Sequence, residues 1–344
     1  MRGRNARPAH ALFPPLHGSG LRMGLGGAPL GNLFSALTET QASAVVAAAW
    51  ADGCRCFDTA PHYGNGLSEH RLGQTLRTHA RSEFVLSTKV GRLLVPQADA
   101  PRAQHGYVDG LPFVQRWDYS RAGTRRSIED SLQRMGLTRI DVAYVHDPDA
   151  ATHGKRAQQV LSQVLQETLP ALQQLKREGL IGAIGLGVND WRIVLQVLEH
   201  ADLDALMLAG RYSLLDHSAL AELLPQCVRR GVRTALGGVF NSGILARGVR
   251  AAPGAVFDYA PAAPEWVERT AAIEAVCDAF GVPLRAAALQ FPLAHDAIDI
   301  VMVGARSAAE WNDCVTMMEW TVPPAFWVAL RGHALVPQQA PTPA

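Results

Sequence analysis

The chain has 344 residues, 48% of them apolar and 18% charged, a balance that supports a large buried core and excludes a disordered protein. A formal charge of +1 leaves no electrostatic footprint for nucleic acid, and no apolar run approaches the length of a membrane span. The five scattered cysteines lack the paired spacings of a zinc site and read as buried thiols of a reducing compartment, so a cytoplasmic protein without a metal is expected.

Residues 1–20 and 336–344 read as loose tails around a single domain at 21–335. Inside that domain, short β-prone runs alternate with helical patterns. Strands are expected from Leu21, Cys54, Glu83, Ile140, Ile181, Ala205, Val232 and Asp299. Helices are expected over 39–52, 67–78, 120–135, 160–178, 191–200, 217–230, 266–280 and 308–318, with extra helices near 283–293 and 324–335. In the third of these, Ile128, Leu132 and Met135 recur at helical spacing and Gly136 gives a stop. Eight βα units whose crossovers share one hand predict an α/β fold, a closed (β/α)8 barrel of the TIM type. The stretch 91–118, after the third strand, has no sustained period of either kind and reads as a long loop over the C-terminal mouth.

Ionisable residues gather where these strands end. Asp58 closes the second strand and Tyr63 follows it in "FDTAPHYGNGLSEHRLG"; Lys89 closes the third in "STKVG", and His146 the fourth in "YVHDPD". All belong at the barrel face that carries chemistry in such folds. Together they form a proton-transfer unit. A free tyrosine, with a pKa of about 10, is a poor base near neutrality, and a neighbouring ammonium would favour its phenolate. Asp58 would hold Lys89 in place, and His146 would orient the substrate oxygen. The glycine-rich "GLGGAPLG" at 24–31 is a weak dinucleotide signal, because no helix follows closely enough to present its N-terminus to a pyrophosphate.

The ordered set "FDTAPHYGNGLSEHRLG", "STKVGR", "SLQRMGLTRIDVAYVHDPD", "IGLGVND" and "VGARS" resembles the aldo-keto reductase family. The resemblance implies a barrel that binds NAD(P) without a Rossmann domain, and a catalytic tetrad of Asp58, Tyr63, Lys89 and His146. It further implies cofactor contacts from Gly27 and Ala28 beside the nicotinamide, Asn189 at the carboxamide and Tyr212 stacked on the ring. Gly238, Val239, Phe240, Asn241 and Gly243 would wrap the pyrophosphate, with Gly304, Arg306 and Ser307 at the adenosine end. The family's usual serine before the asparagine is Val188 here, and its usual glutamine on the next strand is Ala209. Arg306 has no second arginine shortly after it, which points to NAD, with NADP as the alternative. The motifs are similar to the branch of D-threo-aldose 1-dehydrogenases acting on L-fucose, D-arabinose or L-galactose, with pyridoxal 4-dehydrogenase another relative. Such an enzyme would oxidise a small-molecule aldose at C1 to a lactone, with His62, Trp117 and Tyr107 offered to the substrate. A non-catalytic cofactor-binding subunit, as some family members are, has no need of an intact tetrad.

Overall fold

The computed structural model describes residues 12–250 and 254–344. Strands β1 (Met23–Gly26), β2 (Cys56–Asp58), β3 (Val85–Val90), β6 (Ile140–His146), β7 (Ile181–Val188), β8 (Ala205–Ala209), β9 (Arg233–Gly237) and β12 (Ile298–Val303) close into an all-parallel barrel. Each strand pairs with its sequence neighbours, and β1 pairs with β12 (Met23 opposite Val301) to shut the ring. All eight strands stand where the sequence places them. They were legible because a parallel strand is buried on both faces and reads as a largely apolar, β-prone run, its polar residues few.

The helices largely follow expectation. Thr38 and Gln41 form a reciprocal capping box ahead of helix Glu39–Ala51. Ser120 caps Arg121–Met135, which Gly136 ends in the left-handed conformation (φ 65°). The helix expected over 160–178 is instead two α-helices, Ala157–Gln163 and Leu169–Arg177, joined by a π turn at Val164–Thr168. Pro170 has no N–H to donate, so the regular ladder is interrupted there. The helix expected from residue 217 begins at Leu223, with Pro225 in its first turn.

The stretch 91–118 is not structureless. Strands β4 (Arg92–Pro96) and β5 (Phe113–Trp117) form an antiparallel hairpin, and only 97–112 is loop. A further two-residue pair, β10 (Val256–Phe257) and β11 (Ala260–Pro261), stands beside the β9 loop. The described parts of both tails are also packed. Phe13 joins Cys56, Tyr144, Met207, Ile300 and Met302 in the apolar filling of the barrel, and Leu16 is buried. Val336 and Ala340 are buried as well, with the Arg331 side chain donating to the Ala340 carbonyl at 2.8 Å. Residues 1–11 of the expected N-terminal tail lie outside the described residues. All five cysteines are buried and unpaired, and no helix among the described residues is long and apolar enough to cross a membrane.

Candidate active site

The register of β2 against β3 sets Asp58 opposite Ser87. Side chains two apart on a strand share a face, so Ser87 and Lys89 both turn to the Asp58 carboxylate. Lys89 Nζ donates to Asp58 Oδ2 at 2.7 Å and to the Thr59 carbonyl at 2.9 Å; Ser87 Oγ donates to Asp58 Oδ1 at 2.6 Å. The ion pair is almost completely buried, with 2% and 5% of the two side chains exposed. Every polar atom of the carboxylate is thus engaged, which a buried charge requires.

Tyr63 is brought over this pair by close backbone packing. A Cβ on Gly31 would lie 2.5 Å from the Tyr63 carbonyl carbon, and one on Gly64 (φ 65°) would lie 2.4 Å from the Gly31 oxygen. Glycine at both positions lets the loop after β1 rest against the Tyr63 backbone. Lys89 Nζ sits 4.6 Å from the centre of the Tyr63 ring, and the His146 ring stands across it at 6.3 Å, nearly perpendicular. The four tetrad candidates are therefore brought together. Tyr63, Lys89 and His146 line a cavity of about 400 Å³, whose wall includes His62, Tyr107 and Tyr259.

One electrostatic expectation is corrected. Withdrawal from water, with Asp58 adding to it, raises the Tyr63 phenol well above its usual value. The free site therefore holds tyrosine as an acid, despite the ammonium beneath it. Burial, reinforced by the Arg92 and Lys89 cations, pushes the His146 imidazole well below its usual value, so it is a neutral hydrogen-bonding ring. His62 is lowered in the same way, first by burial and then by Arg92.

Burial likewise lowers His70, His105, His153, His217 and His295, the fourth of these to about 3. Below pH 6.5 the unfolded chain then binds more protons than the folded one, so stability falls as pH falls through that window. Asp147, raised to about 6 by burial, acts in the opposite sense between about pH 4 and 6. Seven histidines outweigh one carboxyl. The midpoint of thermal unfolding should drop steadily from pH 7.5 to 5.5 in a calorimetric series, and a flat or rising profile would contradict this assignment.

Sequence reading missed Arg92 and Asp147. Arg92, the first residue of β4, donates from Nη2 to Asp147 Oδ2 at 2.7 Å and from Nη1 to His62 Nδ1 at 2.9 Å and Gln115 at 3.2 Å. The only signal was adjacency: Arg92 follows "STKVG" and Asp147 follows His146. Trp117, expected at the substrate, is not part of the cavity wall. Its ring is covered by the Arg92 guanidinium at 4.0 Å and by His153 at 4.5 Å, so it backs the site without entering it. His62 and Tyr107 do line the cavity.

A second cavity of about 200 Å³ adjoins, walled by Gly27, Ala28, Tyr63, Asn189 and Asn241. It shares Gly238 and Gly304 with a groove of about 750 Å³ that Val239, Phe240, Gly243 and Arg306 also line. The loop after β9 turns through Gly238 (φ 62°) and Gly243 (φ 101°), and Arg247 in the groove has no carboxylate partner among the described residues. A long glycine-walled groove with an unpaired guanidinium fits a dinucleotide. Phe34 and Tyr259, ring centres 6.5 Å apart, both line the cavity of about 200 Å³ that joins this groove to the catalytic cavity. Two expected contacts are not in place. Tyr212 is fully buried against Phe291 and His295, away from every cavity wall named above, and Ser307 Oγ instead accepts the Glu310 N–H to cap helix Ala308–Glu319.

The aldo/keto reductase family profile matches residues 22–334 of the chain. The chain belongs to the aldo/keto reductase family. This aldo-keto reductase is 42% identical to pyridoxal 4-dehydrogenase of Microbacterium luteolum over 91% of its length and 94% of the relative's. It is 39% identical to D-threo-aldose 1-dehydrogenase of a Pseudomonas species, covering 92% and 94% of the two chains. An aldo-keto reductase from Bacillus halodurans superposes with a TM-score of 0.70 at 24% identity, over 95% and 98% of the chains, a likeness of fold. The aldo-keto reductase described here is accordingly an NAD(P)-dependent oxidoreductase.

Proposed function

We propose that this aldo-keto reductase oxidises the cyclic hemiacetal form of an aldose at C1 to the lactone, with NAD as hydride acceptor. The observation that carries the reading is the buried Lys89–Asp58 pair beneath Tyr63 in the cavity that His146 also lines. The hemiacetal hydroxyl would lie between the Tyr63 oxygen and the His146 imidazole. Neutral His146 would fix that oxygen by a hydrogen bond, and Tyr63 would take its proton as C1 loses hydride. When bound, the nicotinamide dinucleotide supplies the hydride acceptor and, in oxidised form, a positive charge that favours the Tyr63 phenolate. Lys89 would stabilise the same charge from below. Asn189 would hold the carboxamide, the Gly238–Gly243 loop and Arg247 the pyrophosphate.

NAD is favoured over NADP by Glu310. Its carboxylate accepts the Arg306 backbone N–H at 2.8 Å and pairs with the Arg306 side chain at 3.4 Å. A carboxylate there suits ribose hydroxyls and repels a 2′-phosphate.

A second reading, pyridoxal as substrate, is supported by the aromatic wall of Tyr63, Tyr107, Phe34 and Tyr259, which suits a planar ring. Pyridoxal carries a hydroxymethyl group beside its aldehyde and closes to a cyclic hemiacetal, so the same proton and hydride steps would give a lactone. Nicotinamide absorbance with L-fucose, D-arabinose, L-galactose and pyridoxal, each with NAD and NADP, tests both. Reduction of NAD by the sugars is expected; reduction with pyridoxal alone would replace the aldose reading, and a preference for NADP would overturn the role given to Glu310.

A further inference from the structure

Asp147 occupies an unusual place. It follows His146 at the end of β6 with a left-handed backbone (φ 44°), a conformation that costs a non-glycine residue energy and recurs at functional sites. Its N–H is tied to the Gly187 carbonyl at 3.0 Å, which fixes the turn. The residue lines the catalytic cavity and also a neighbouring cavity of about 460 Å³, so it stands where the two meet.

The two oxygens of its carboxylate are not equivalent. Oδ2 accepts Arg92 Nη2 at 2.7 Å and lies 3.4 Å from His146 Nε2. Oδ1 receives no hydrogen bond among the described residues. Arg92 is itself held by the Trp117 ring, His62 and Gln115, so the carboxylate cannot swing away without breaking several contacts. Because Arg92 already balances its charge, the free oxygen suits a neutral donor better than a cation. Since the Asp147 carboxylate stands 3.4 Å from His146 Nε2 on the same cavity wall, a substrate whose reacting oxygen is held at His146 would present the oxygen on its next carbon to this carboxylate.

We propose that Asp147 is the acceptor for a substrate hydroxyl on the carbon next to the reacting one, which makes this site selective for α-hydroxy carbonyl compounds and their hemiacetals. Arg92 is the positioning residue that fixes this acceptor, and the neighbouring cavity of about 460 Å³ receives what extends beyond that hydroxyl. The proposal rests on the reading of the cavity as a site of carbonyl oxidation and reduction, but not on the identity of the aldose.

The test uses reduction of 2-hydroxypropanal and propanal, which differ only in the hydroxyl, by the wild type and by Asp147→Asn. The wild type should favour the hydroxylated aldehyde in kcat/KM, and Asp147→Asn should shrink that ratio by about 10- to 100-fold, the worth of a hydrogen bond to a charged acceptor. An unchanged ratio, even with both rates lowered, would assign Asp147 to the support of His146 and overturn the proposal. Should Asp147→Asn not fold, the wild-type pair decides alone, because equal kcat/KM for the two aldehydes overturns it. Failure of the aldose reading shows separately, as absent oxidation of every sugar while the aldehyde preference persists. Reduction of neither aldehyde would overturn the proposal together with the carbonyl chemistry beneath it.

Discussion

Tyr63→Phe is expected to lower kcat by about 10²- to 10⁴-fold, the contribution of a positioned acid–base group. Two further readouts make the result specific. The Tyr63 hydroxyl makes no hydrogen bond among the described residues, so its removal strands no buried partner, and the unfolding temperature should stay within a degree or two of the wild type. The dinucleotide groove is built mainly from the loops after β1, β9 and β12, so the dissociation constant for reduced cofactor, followed by quenching of protein fluorescence, should change little. Turnover close to wild type would sink the acid–base role outright. Loss of cofactor binding in parallel with turnover would mean that the hydroxyl serves to hold the cofactor, and not proton transfer alone.

Replacing Lys89 by Met should abolish turnover and also weaken the fold, because it leaves the Asp58 carboxylate in the interior without its counter-ion. Breaking a buried pair from one side costs about 3–5 kcal/mol. The paired variant Asp58→Asn/Lys89→Met removes both charges, and the carbonyl of the introduced asparagine can still accept from Ser87. It should recover most of the lost stability while remaining inactive. That divergence separates chemistry from packing: a double variant as unstable as the single one would show that the Lys89 bond to the Thr59 carbonyl, not charge balance, dominates. Measurable turnover in either variant would remove Lys89 from the mechanism.

The barrel and the tetrad positions were legible for one physical reason. Cys56 to Asp58, Val85 to Lys89 and Ile140 to His146 are short β-prone runs with an ionisable group at the C-terminal end, and a strand buried on both faces tolerates such a group only near one of its ends, as Asp141 near the other end of β6 also shows. The Arg92–Asp147 pair was not legible, since its members lie far apart in sequence and meet only when the hairpin folds back. That hairpin was hidden too: β5 runs Phe, Val, Gln, Arg, Trp with none of the five fully buried, so both of its faces are partly in water and no alternation marks it. Tyr212 shows the limit of motif order. Its place after β8 suggested the cavity, but the chain turns at Gly210 (φ 68°) and sends the ring outward onto Phe291. Asn189, by contrast, lines the cavity as its position after β7 implies.

The seat of Phe13 bears on how the polypeptide reaches this state. The residue is made near the start of synthesis, yet Ile300 and Met302, which complete its surroundings, come from the last barrel strand, and β1 has no second neighbour until β12 exists. Ring closure is thus the most non-local event in the molecule and should limit the folding rate. Until the C-terminal fifth of the chain has left the ribosome, the nascent protein carries an unpaired β1 edge and an unplaced aromatic anchor, and it is in that interval that chaperones would be needed.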